Sequence, residues 1–196
     1  MIPRKLNKHL DKALLIKHFH SDIVGEDRRL RFGYMATDEA VTTYITNSLE
    51  NGYGVDNTWF VVVEGFKVIA SVHVAYNSKK KTAELGLTVS NEYRGKKLGQ
   101  ELFNRGVLWA RAVGAESIFM YCLSENKTMQ HIAKKNNMTI VTLDPSEKEA
   151  VIKITKSHIL AGMEDMALEQ IAIFDSAIRG QRWAFWKIIE NSMKGV

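Results

Sequence analysis

The sequence predicts a mixed α/β domain, in which helices flank a mostly antiparallel, twisted sheet, followed by a C-terminal helical hairpin. Short segments rich in β-branched and aromatic residues alternate with segments of helical apolar spacing. Glycine-bearing or polar turns join consecutive strands, and the last forty or so residues are helical in pattern. We therefore expect a domain over residues 1–156 and a helical extension over residues 157–196.

The composition is that of a globular protein with a mild basic excess. With 27 Lys and Arg against 22 Asp and Glu, the formal net charge is +5, which favours an anionic ligand without naming it. The single cysteine, Cys122, excludes an internal disulfide. The first residues have no signal-peptide core, and no stretch approaches the ~20 apolar residues of a membrane span. We expect a cytoplasmic protein that does not bind membranes.

Two helices are predicted before the first strand. The first, within residues 1–20, is indicated by apolar and histidine side chains at helical spacing: Leu10, Leu14, Leu15, His18 and Phe19. We expect it to end near the sequence HSDIVGEDR. In the second helix, Thr37 can act as the N-cap, and Gly52 lies just past the end.

Three strands follow. The segments NTWFVVVEG and KVIASVHVAYN are separated by a turn at residues 64–66, which predicts an antiparallel hairpin. After the polar turn SKKKT, the segment AELGLTVS alternates, so that Glu84, Gly86 and Thr88 share one face of a strand. A carboxylate is thereby placed in the middle of that strand.

The second half is predicted to be helix, strand, helix and two further strands. A helix begins near Leu98 and stops at Gly114, and ESIFMYCLS is typical of a strand buried on both faces. NKTMQHIAKKNN predicts a short helix, and MTIVTLD and EAVIKITK predict strands. In the extension, Trp183 and Trp186 are expected to pack the hairpin onto the domain or, if exposed, to form a homodimer through the C-terminal helices.

The stretch TVSNEYRGKKLGQELF runs from a strand through a basic turn into a helix. The first N–H groups of a helix have no internal partners, and the helix dipole adds roughly half a positive charge there. Arg94, Lys96 and Lys97 add formal charge, while Gly95 and Gly99 allow close approach of the backbone. The turn therefore suits an anion. Its spacing matches neither common nucleotide loop, GxxxxGK[ST] or GxGxxG.

Several of these segments together resemble the GNAT superfamily of N-acetyltransferases. RGKKLG is similar to the family's acetyl-CoA loop, and DRRLRFGYMATDEAV, AELGLTVSNEYRGKKLGQEL and ENKTMQHIAKKNNM resemble a subgroup that includes the acetyltransferase domains of bacterial protein-lysine acetyltransferases. The resemblance covers residues 10–144. The sequence departs from the family at Lys97, where glycine is usual, and at Ala133, where many relatives carry a tyrosine general acid.

The resemblance implies acetyl-CoA as co-substrate and no metal, and the histidines form no ligand set. It implies that backbone groups near the end of the strand pair with the pantetheine arm and that the basic loop takes the pyrophosphate. It also implies that the start of the short helix in NKTMQHIAKKNN lines the arm. Asn126 could also cap that helix. The residues so implied are Leu87, Thr88 and Val89 for the strand, Arg94, Gly95, Lys96, Lys97, Leu98, Gly99 and Gln100 for the loop, and Asn126 and Met129 for the helix.

The implied chemistry needs a base, since a free lysine amine has a pKa of about 10.4 and is mostly protonated at neutral pH. Glu84 matches the subgroup's glutamate, and a buried carboxylate with a raised pKa would suit the task, directly or through a water. The resemblance assigns the oxyanion to a backbone N–H near Val89. Water or Tyr121 could protonate the thiolate.

The function expected is transfer of acetyl to an amine by direct attack in a ternary complex. Protein lysine, polyamine, amino acid and aminoglycoside are all candidate acceptors, with a tilt toward protein lysine or a small amine. One alternative is a catalytically weak acyl-CoA-binding or regulatory module, motivated by Lys97 and Ala133. A less favoured alternative, motivated by the basic charge, is a nucleic-acid-binding protein.

Overall fold

The structure, a computed structural model, describes residues 1–154 and 158–194. The predicted boundary between residues 156 and 157 lies outside these described residues. The strands are β1 (Arg4–Lys5), β2 (Asn57–Glu64), β3 (Lys67–Asn77), β4 (Thr82–Val89), β5 (Ser117–Leu123), β6 (Thr139–Thr142) and β7 (Glu147–Lys153). The helices are α1 (Lys12–Ser21), α2 (Glu26–Phe32), α3 (Asp38–Glu50), α4 (Leu98–Ala112), α5 (Lys127–Lys135) and α6 (His158–Lys194).

Over the described residues, seven strands form one sheet in the order β1-β2-β3-β4-β5-β7-β6. The β4–β5 pair is parallel and the other pairs are antiparallel. The mixed, mostly antiparallel sheet is therefore confirmed. The predicted hairpin is also present, because Glu64 pairs with Lys67 across a two-residue turn.

Helices cover both faces of the sheet, and the alternation of side chains along β2 divides the core into two clusters. Trp59 and Val61 pack with α1 and α3. Phe60 and Val62 point to the opposite face and pack with α4. Because successive strand residues point to opposite faces, one apolar strand supplies both cores. No helix within residues 1–154 and 158–194 is both long and apolar enough to cross a membrane.

The prediction of helix from the first residues is wrong. The chain begins with β1, which pairs with the edge of β2, and α1 starts only at Lys12. Polar contacts of Asp11 explain the late start of the helix. Its carboxylate binds the Arg4 guanidinium at 2.6 Å and accepts the N–H of Asn7 at 2.8 Å. These contacts favour a turn where apolar spacing alone favours a helix, and they leave Leu10 exposed.

The helix α2 is not predicted by the sequence patterns, which indicate the end of helical structure near HSDIVGEDR. It is held by Arg28, which is buried and donates to the carbonyl oxygens of Phe19 and Ile23 at 2.9 and 3.0 Å. Arg28 also binds Asp38 at the start of α3. A helix fixed by one buried arginine has no apolar periodicity by which to predict it. The next helix follows as predicted, with the Thr37 hydroxyl accepting the N–H of Ala40 at 3.2 Å.

The predicted C-terminal hairpin is instead a single helix, α6, of 37 residues. A turn between the two apolar patterns would fall around Gly180, but contacts to the domain hold the helix on both sides of it. Arg179 donates to the Val63 carbonyl at 2.7 Å, and the Trp183 ring covers Gly65 so closely that a Cβ there would lie 2.5 Å from it. Trp183 thus packs on the domain as predicted, whereas Trp186 is 62% exposed.

A buried arginine on α4 fastens α6 to the domain. Arg105 is 2% exposed, forms ion pairs with Asp165 and Glu169 of α6, and lies 4.2 Å from the centre of the Phe60 ring. Glu169 also accepts the backbone N–H of Lys5 at 2.9 Å. One carboxylate therefore connects α4, α6 and β1.

Replacing Arg105 should be strongly destabilising, because the change leaves two carboxylates without their partner beside the core. We expect Arg105→Met to lower the free energy of unfolding by about 3 kcal/mol, measured by urea denaturation. Lys79→Met, at an exposed hairpin position, should change it by less than about 0.5 kcal/mol. A similar small change for both variants would contradict the proposed role of Arg105.

Candidate functional site

The parallel strands β4 and β5 pair over only a short distance. Their register joins Thr82 to Ser117 and ends where Glu84 meets Phe119. Beyond that pair the strands separate, and a cleft of about 890 Å³ lies between them and reaches α2, α5 and the start of α4. The cleft leaves one edge of β4 without a neighbouring strand.

The open edge of β4 presents backbone groups to the cleft. Ser90 donates its N–H to Ile69 on β3 at 2.9 Å. Because the N–H groups of a strand point alternately to its two edges, those of Thr88 and Gly86 also face β3. The N–H groups of Leu87 and Val89 therefore face the open edge, where an extended ligand can pair with them.

The basic loop adds a second set of free donors at the wide end of the cleft. In the described part of the chain, the backbone N–H groups of residues 95–99 donate to no acceptor. Lys97 has φ +64°, a left-handed conformation, and directly precedes α4. Successive amides that converge at a helix N-terminus form a site for an anion.

Almost all of the residues predicted to bind the cofactor line this one cleft: Leu87, Thr88, Val89, Arg94, Gly95, Lys97, Leu98, Gly99, Gln100, Asn126 and Met129. Glu84 lines it too. The exception is Lys96, whose ammonium lies 4.5 Å from the centre of the Tyr93 ring. Tyr93 in turn donates its hydroxyl to Glu64, a hydrogen bond that raises the Tyr93 pKa to about 12. Lys96 is thus held outside the cleft.

Arg94 is engaged at the mouth of the cleft by a residue that the sequence reasoning missed. Its guanidinium forms an ion pair with Asp27 of α2 at 2.7 Å and donates to the Val89 carbonyl at 3.4 Å. Asp27 itself lines the cleft. An anion that binds Arg94 must therefore displace the Asp27 carboxylate or share the guanidinium with it. No spacing in the sequence indicates this ion pair.

Asn126 caps α5, which is one of the two roles that the sequence allows. Its side-chain oxygen accepts the N–H of Met129 at 3.1 Å. Its amide nitrogen makes no hydrogen bond within the described residues, and the residue lines the cleft. One side chain thus both starts the helix and leaves a donor free for a ligand.

Glu84 lies at the narrow end of the cleft and is exposed, so it is not the buried carboxylate that would best suit a base. The prediction that β5 is buried on both faces is also wrong, since Tyr121 is 52% exposed. Both results have one cause: the separation of β4 and β5 opens this face to the cleft. Cys122, on the opposite face of β5, is buried, and its burial raises the thiol pKa.

A second missed feature is a buried polar chain beside Glu84. The guanidinium of Arg31 covers Gly86, where an added Cβ would lie 2.1 Å from Nη2. Arg31 donates to the Tyr44 hydroxyl at 2.9 Å, Tyr44 contacts His73 at 2.6 Å, and His73 contacts Asn57 at 3.0 Å. Burial raises the Tyr44 pKa, and burial and the Arg31 charge lower the His73 pKa to about 3. Gly86 is thus required so that a cationic group can approach the strand.

A third missed feature supports the end of β4. His18, indicated by the sequence only as part of a helical face, is buried and contacts the Thr88 hydroxyl at 2.9 Å. Burial lowers the His18 pKa to about 4 despite the nearby Asp22 carboxylate. Burial opposes ionisation of Asp22, but hydrogen bonds from Ser90 and Lys67 outweigh it and hold the Asp22 pKa below its usual range. The network fixes the strand where the basic loop begins.

A sequence profile described as "Acetyltransferase (GNAT) domain" matches residues 8–139 of this chain. The chain belongs to the GNAT acetyltransferase family. The match runs from before α1 to the start of β6 and includes every residue that lines the cleft except Glu147; it ends before β7 and α6. No curated protein sequence matches the chain.

Solved GNAT structures share the fold at low sequence identity. The GNAT domain of S. lividans PAT has a TM-score of 0.68 at 16% identity, over 78% of this chain and 89% of that one. The ribosomal-protein-alanine N-acetyltransferase from Brucella melitensis has a TM-score of 0.62 at 12% identity, over 79% and 100%. A point mutant of the spermidine N-acetyltransferase SpeG from Vibrio cholerae has a TM-score of 0.58 at 15% identity, over 78% and 95%.

The two departures from the GNAT pattern have different structural settings. Lys97 occupies a left-handed conformation, which explains why glycine is usual there. Ala133 is 1% exposed and packs in the core against α4. A general acid at that position is therefore absent from this GNAT chain, and Tyr121 is a hydroxyl that does line the cleft.

The two buried histidines make stability pH-dependent. Their folded pKa values, about 4 for His18 and about 3 for His73, lie below the ~6.5 of an unfolded chain. Above about pH 6.5 neither state binds the proton; below it, only the unfolded state does. We expect the free energy of unfolding to fall by about 2 kcal/mol per histidine between pH 7 and pH 5, measured by urea denaturation.

A single substitution separates the two contributions. His18→Gln should remove about half of this pH dependence, because glutamine keeps a polar group beside Thr88 without titrating. His9→Gln, at an exposed position, should retain the wild-type dependence. A pH dependence unchanged by His18→Gln would show that His18 does not stay neutral in the folded state.

The left-handed conformation of Lys97 predicts a gain in stability on substitution. Lys97→Gly should raise the free energy of unfolding by about 1 kcal/mol, since glycine adopts this conformation without steric cost. Lys96→Gly, at a position where φ is not positive, should be neutral or destabilising. Thermal and urea unfolding of both variants measure the difference, and equal effects would contradict the conformational explanation.

Proposed function

We propose that this GNAT protein transfers acetyl from acetyl-CoA to the primary amine of a protein lysine or a small molecule, by direct attack in a ternary complex. One observation carries the proposal: a single cleft collects the free amides of the basic loop, the open edge of β4 and the carboxylate of Glu84. These are an anion site, a site for an extended arm and a base, arranged in that order along the loop and β4.

In the proposed complex, the pyrophosphate lies on the amides of residues 95–99, with Arg94 and Lys97 supplying charge. The pantetheine arm pairs with the open edge at Leu87 and Val89, and the free amide nitrogen of Asn126 donates to it. Binding would take Arg94 from Asp27. No metal takes part in the proposed reaction.

In the proposed reaction, the amine nitrogen forms a bond to the acetyl carbonyl carbon. Glu84 removes the amine proton, directly or through a water. The N–H of Leu87, rather than that of Val89, stabilises the developing oxyanion, because Leu87 is the open-edge donor nearer Glu84; the Leu87 carbonyl is left to the arm. The carbon–sulfur bond then breaks, and the thiolate takes a proton from water or from Tyr121. Glu149, the cross-strand neighbour of Tyr121 on β7, raises the pKa of the Tyr121 hydroxyl, which keeps its proton at neutral pH. No enzyme nucleophile is needed.

The acceptor enters from the Glu84 end of the cleft, where the Glu84 carboxylate attracts a cationic amine. The names of the structural neighbours, a ribosomal-protein-alanine and a spermidine acetyltransferase, point to different acceptors. The fold alone therefore does not choose among amines. Protein lysine and small amines stay the predicted classes, and a cytoplasmic location stays a prediction.

A second candidate is an acyl-CoA-binding module with weak catalysis. It is favoured by the absence of an acid at Ala133 and by Lys97, which stands where the family usually has glycine. Both candidates require the basic loop to bind coenzyme A, but only the first requires Glu84. A nucleic-acid-binding function would require neither.

Calorimetric titration with acetyl-CoA tests the anion site. The wild-type chain should bind with a dissociation constant on the order of micromolar, and Arg94→Ala combined with Lys97→Ala should weaken binding by about tenfold or more. Lys96→Ala is the matched control, because this neighbouring lysine lies outside the cleft; it should change binding by less than about threefold. No binding by the wild type would reject both coenzyme A-dependent functions and direct attention to nucleic acid.

Turnover on an amine panel then separates the two candidates. Glu84→Gln should lower kcat by about 10²-fold or more while acetyl-CoA binding is unchanged. Binding of acetyl-CoA with no turnover of any protein or small amine would instead support the binding module. Turnover unaffected by Glu84→Gln would remove Glu84 as the base.

A further inference from the structure

The face of α6 that points away from the domain carries a long apolar stripe. Ala161 and Ala172 are buried against the domain. On the opposite side, six large apolar side chains are each between 60% and 77% exposed: Ile159, Met163, Met166, Phe174, Phe185 and Ile188. Soluble monomers rarely expose a contiguous patch of this kind, so the stripe calls for a partner.

The stripe contains positions that repeat every eleven residues. Phe174 and Phe185 are eleven residues apart, and so are Met163 and Phe174. At about 100° per residue, eleven residues make three turns with only ~20° left over. The stripe therefore stays on one side of the helix over its whole length, so a second straight helix can follow it.

We propose that the stripe binds the same stripe of a second copy of this chain, antiparallel, about a two-fold axis near Phe174. Charge complementarity between the two copies supports this choice of partner. Glu164 and Arg182 flank the same edge of the stripe, on either side of Phe174, and neither forms an ion pair within the described residues. Antiparallel pairing about Phe174 brings the Glu164 of each copy close to the Arg182 of the other, twice by symmetry.

A parallel arrangement fits less well. Glu164 and Arg182 are eighteen residues apart in the sequence, which is about 27 Å along a helix at a rise of ~1.5 Å per residue. In a parallel pair that distance would separate each Glu164 from each Arg182, so the two charges could not meet. The antiparallel pair also sets Met163 of each copy against Phe185 of the other, and Phe174 against its own copy. Apolar residues then meet along the stripe, while charges lie at its edge.

The apolar stripe supplies more than half of the area that a standard contact buries on each partner. A helix of 37 residues is ~55 Å long. The exposed parts of its apolar side chains present on the order of 500 Å², and flanking polar groups add to that area. Standard interfaces bury roughly 800 Å² on each partner.

Dimerisation through α6 leaves the cleft between β4 and β5 open, because no described residue that lines the cleft belongs to α6. The dimer and the proposed acetyltransferase function are thus independent. Loss of the dimer with retained acetyl-CoA binding would leave the proposed function intact, and the reverse result would leave the dimer intact.

Sedimentation equilibrium of the full chain tests the proposal. The molecular mass of the wild type should be that of a dimer, twice 22.2 kDa, and the mass of Phe174→Glu should be that of a monomer, 22.2 kDa. Leu10→Glu is the matched control: Leu10 is also apolar and is 74% exposed, but it lies outside α6, so this variant should remain a dimer. Circular dichroism should show the same helix content in all three. A monomeric wild type, or a dimeric Phe174→Glu, would overturn the proposal.

Charge reversal tests the antiparallel register. Glu164→Arg and Arg182→Glu should each raise the dimer dissociation constant by about tenfold, because each reversal opposes like charges at two symmetric places. The double reversal restores opposite charges and should return within about threefold of the wild type. Additive weakening in the double variant would rule out the antiparallel pairing.

Discussion

The site depends on the separation of two parallel strands. β4 and β5 pair only as far as Glu84 and Phe119. Past that point, the backbone groups of β4 that face β5 have no partner strand, and an unpaired polar group costs free energy when it is buried. The structure keeps them in a cleft that is open to solvent, and they remain available to a ligand. The same separation exposes Glu84 and Tyr121, so one irregularity of the sheet creates both ends of the site.

An incomplete sheet needs support from elsewhere, and buried polar groups supply it. His18 holds Thr88 near the end of β4, and Arg31 lies over Gly86 in its middle. Both contacts come from helices that precede β4 in sequence. The polar groups are costly to bury, which is why the His18 pKa is lowered to about 4. Their hydrogen bonds offset part of this cost, and they fix the strand that carries the free amides of Leu87 and Val89.

The C-terminal helix is attached to the domain by charge more than by apolar packing. Arg105 reaches α6 from the core, and Glu169 joins it to the first strand. The apolar residues of α6, which normally face inward on a surface helix, lie mostly on the outer side. The helix thus uses its polar edge for the domain and keeps its apolar face for another surface.

The sequence predicted the regular elements that have strong local signals: the hairpin of β2 and β3, the alternating strand β4 and the amphipathic helix α4. Nearly all of the site residues that the sequence indicated line the cleft, because they are consecutive residues at a strand end, a loop and two helix N-termini. Three features could not be predicted in this way: which loop lysine faces the cleft, the pairing of Asp27 with Arg94, and the formation of α6 as one helix. These outcomes depend on contacts between residues far apart in the chain, and local periodicity carries no information about such contacts.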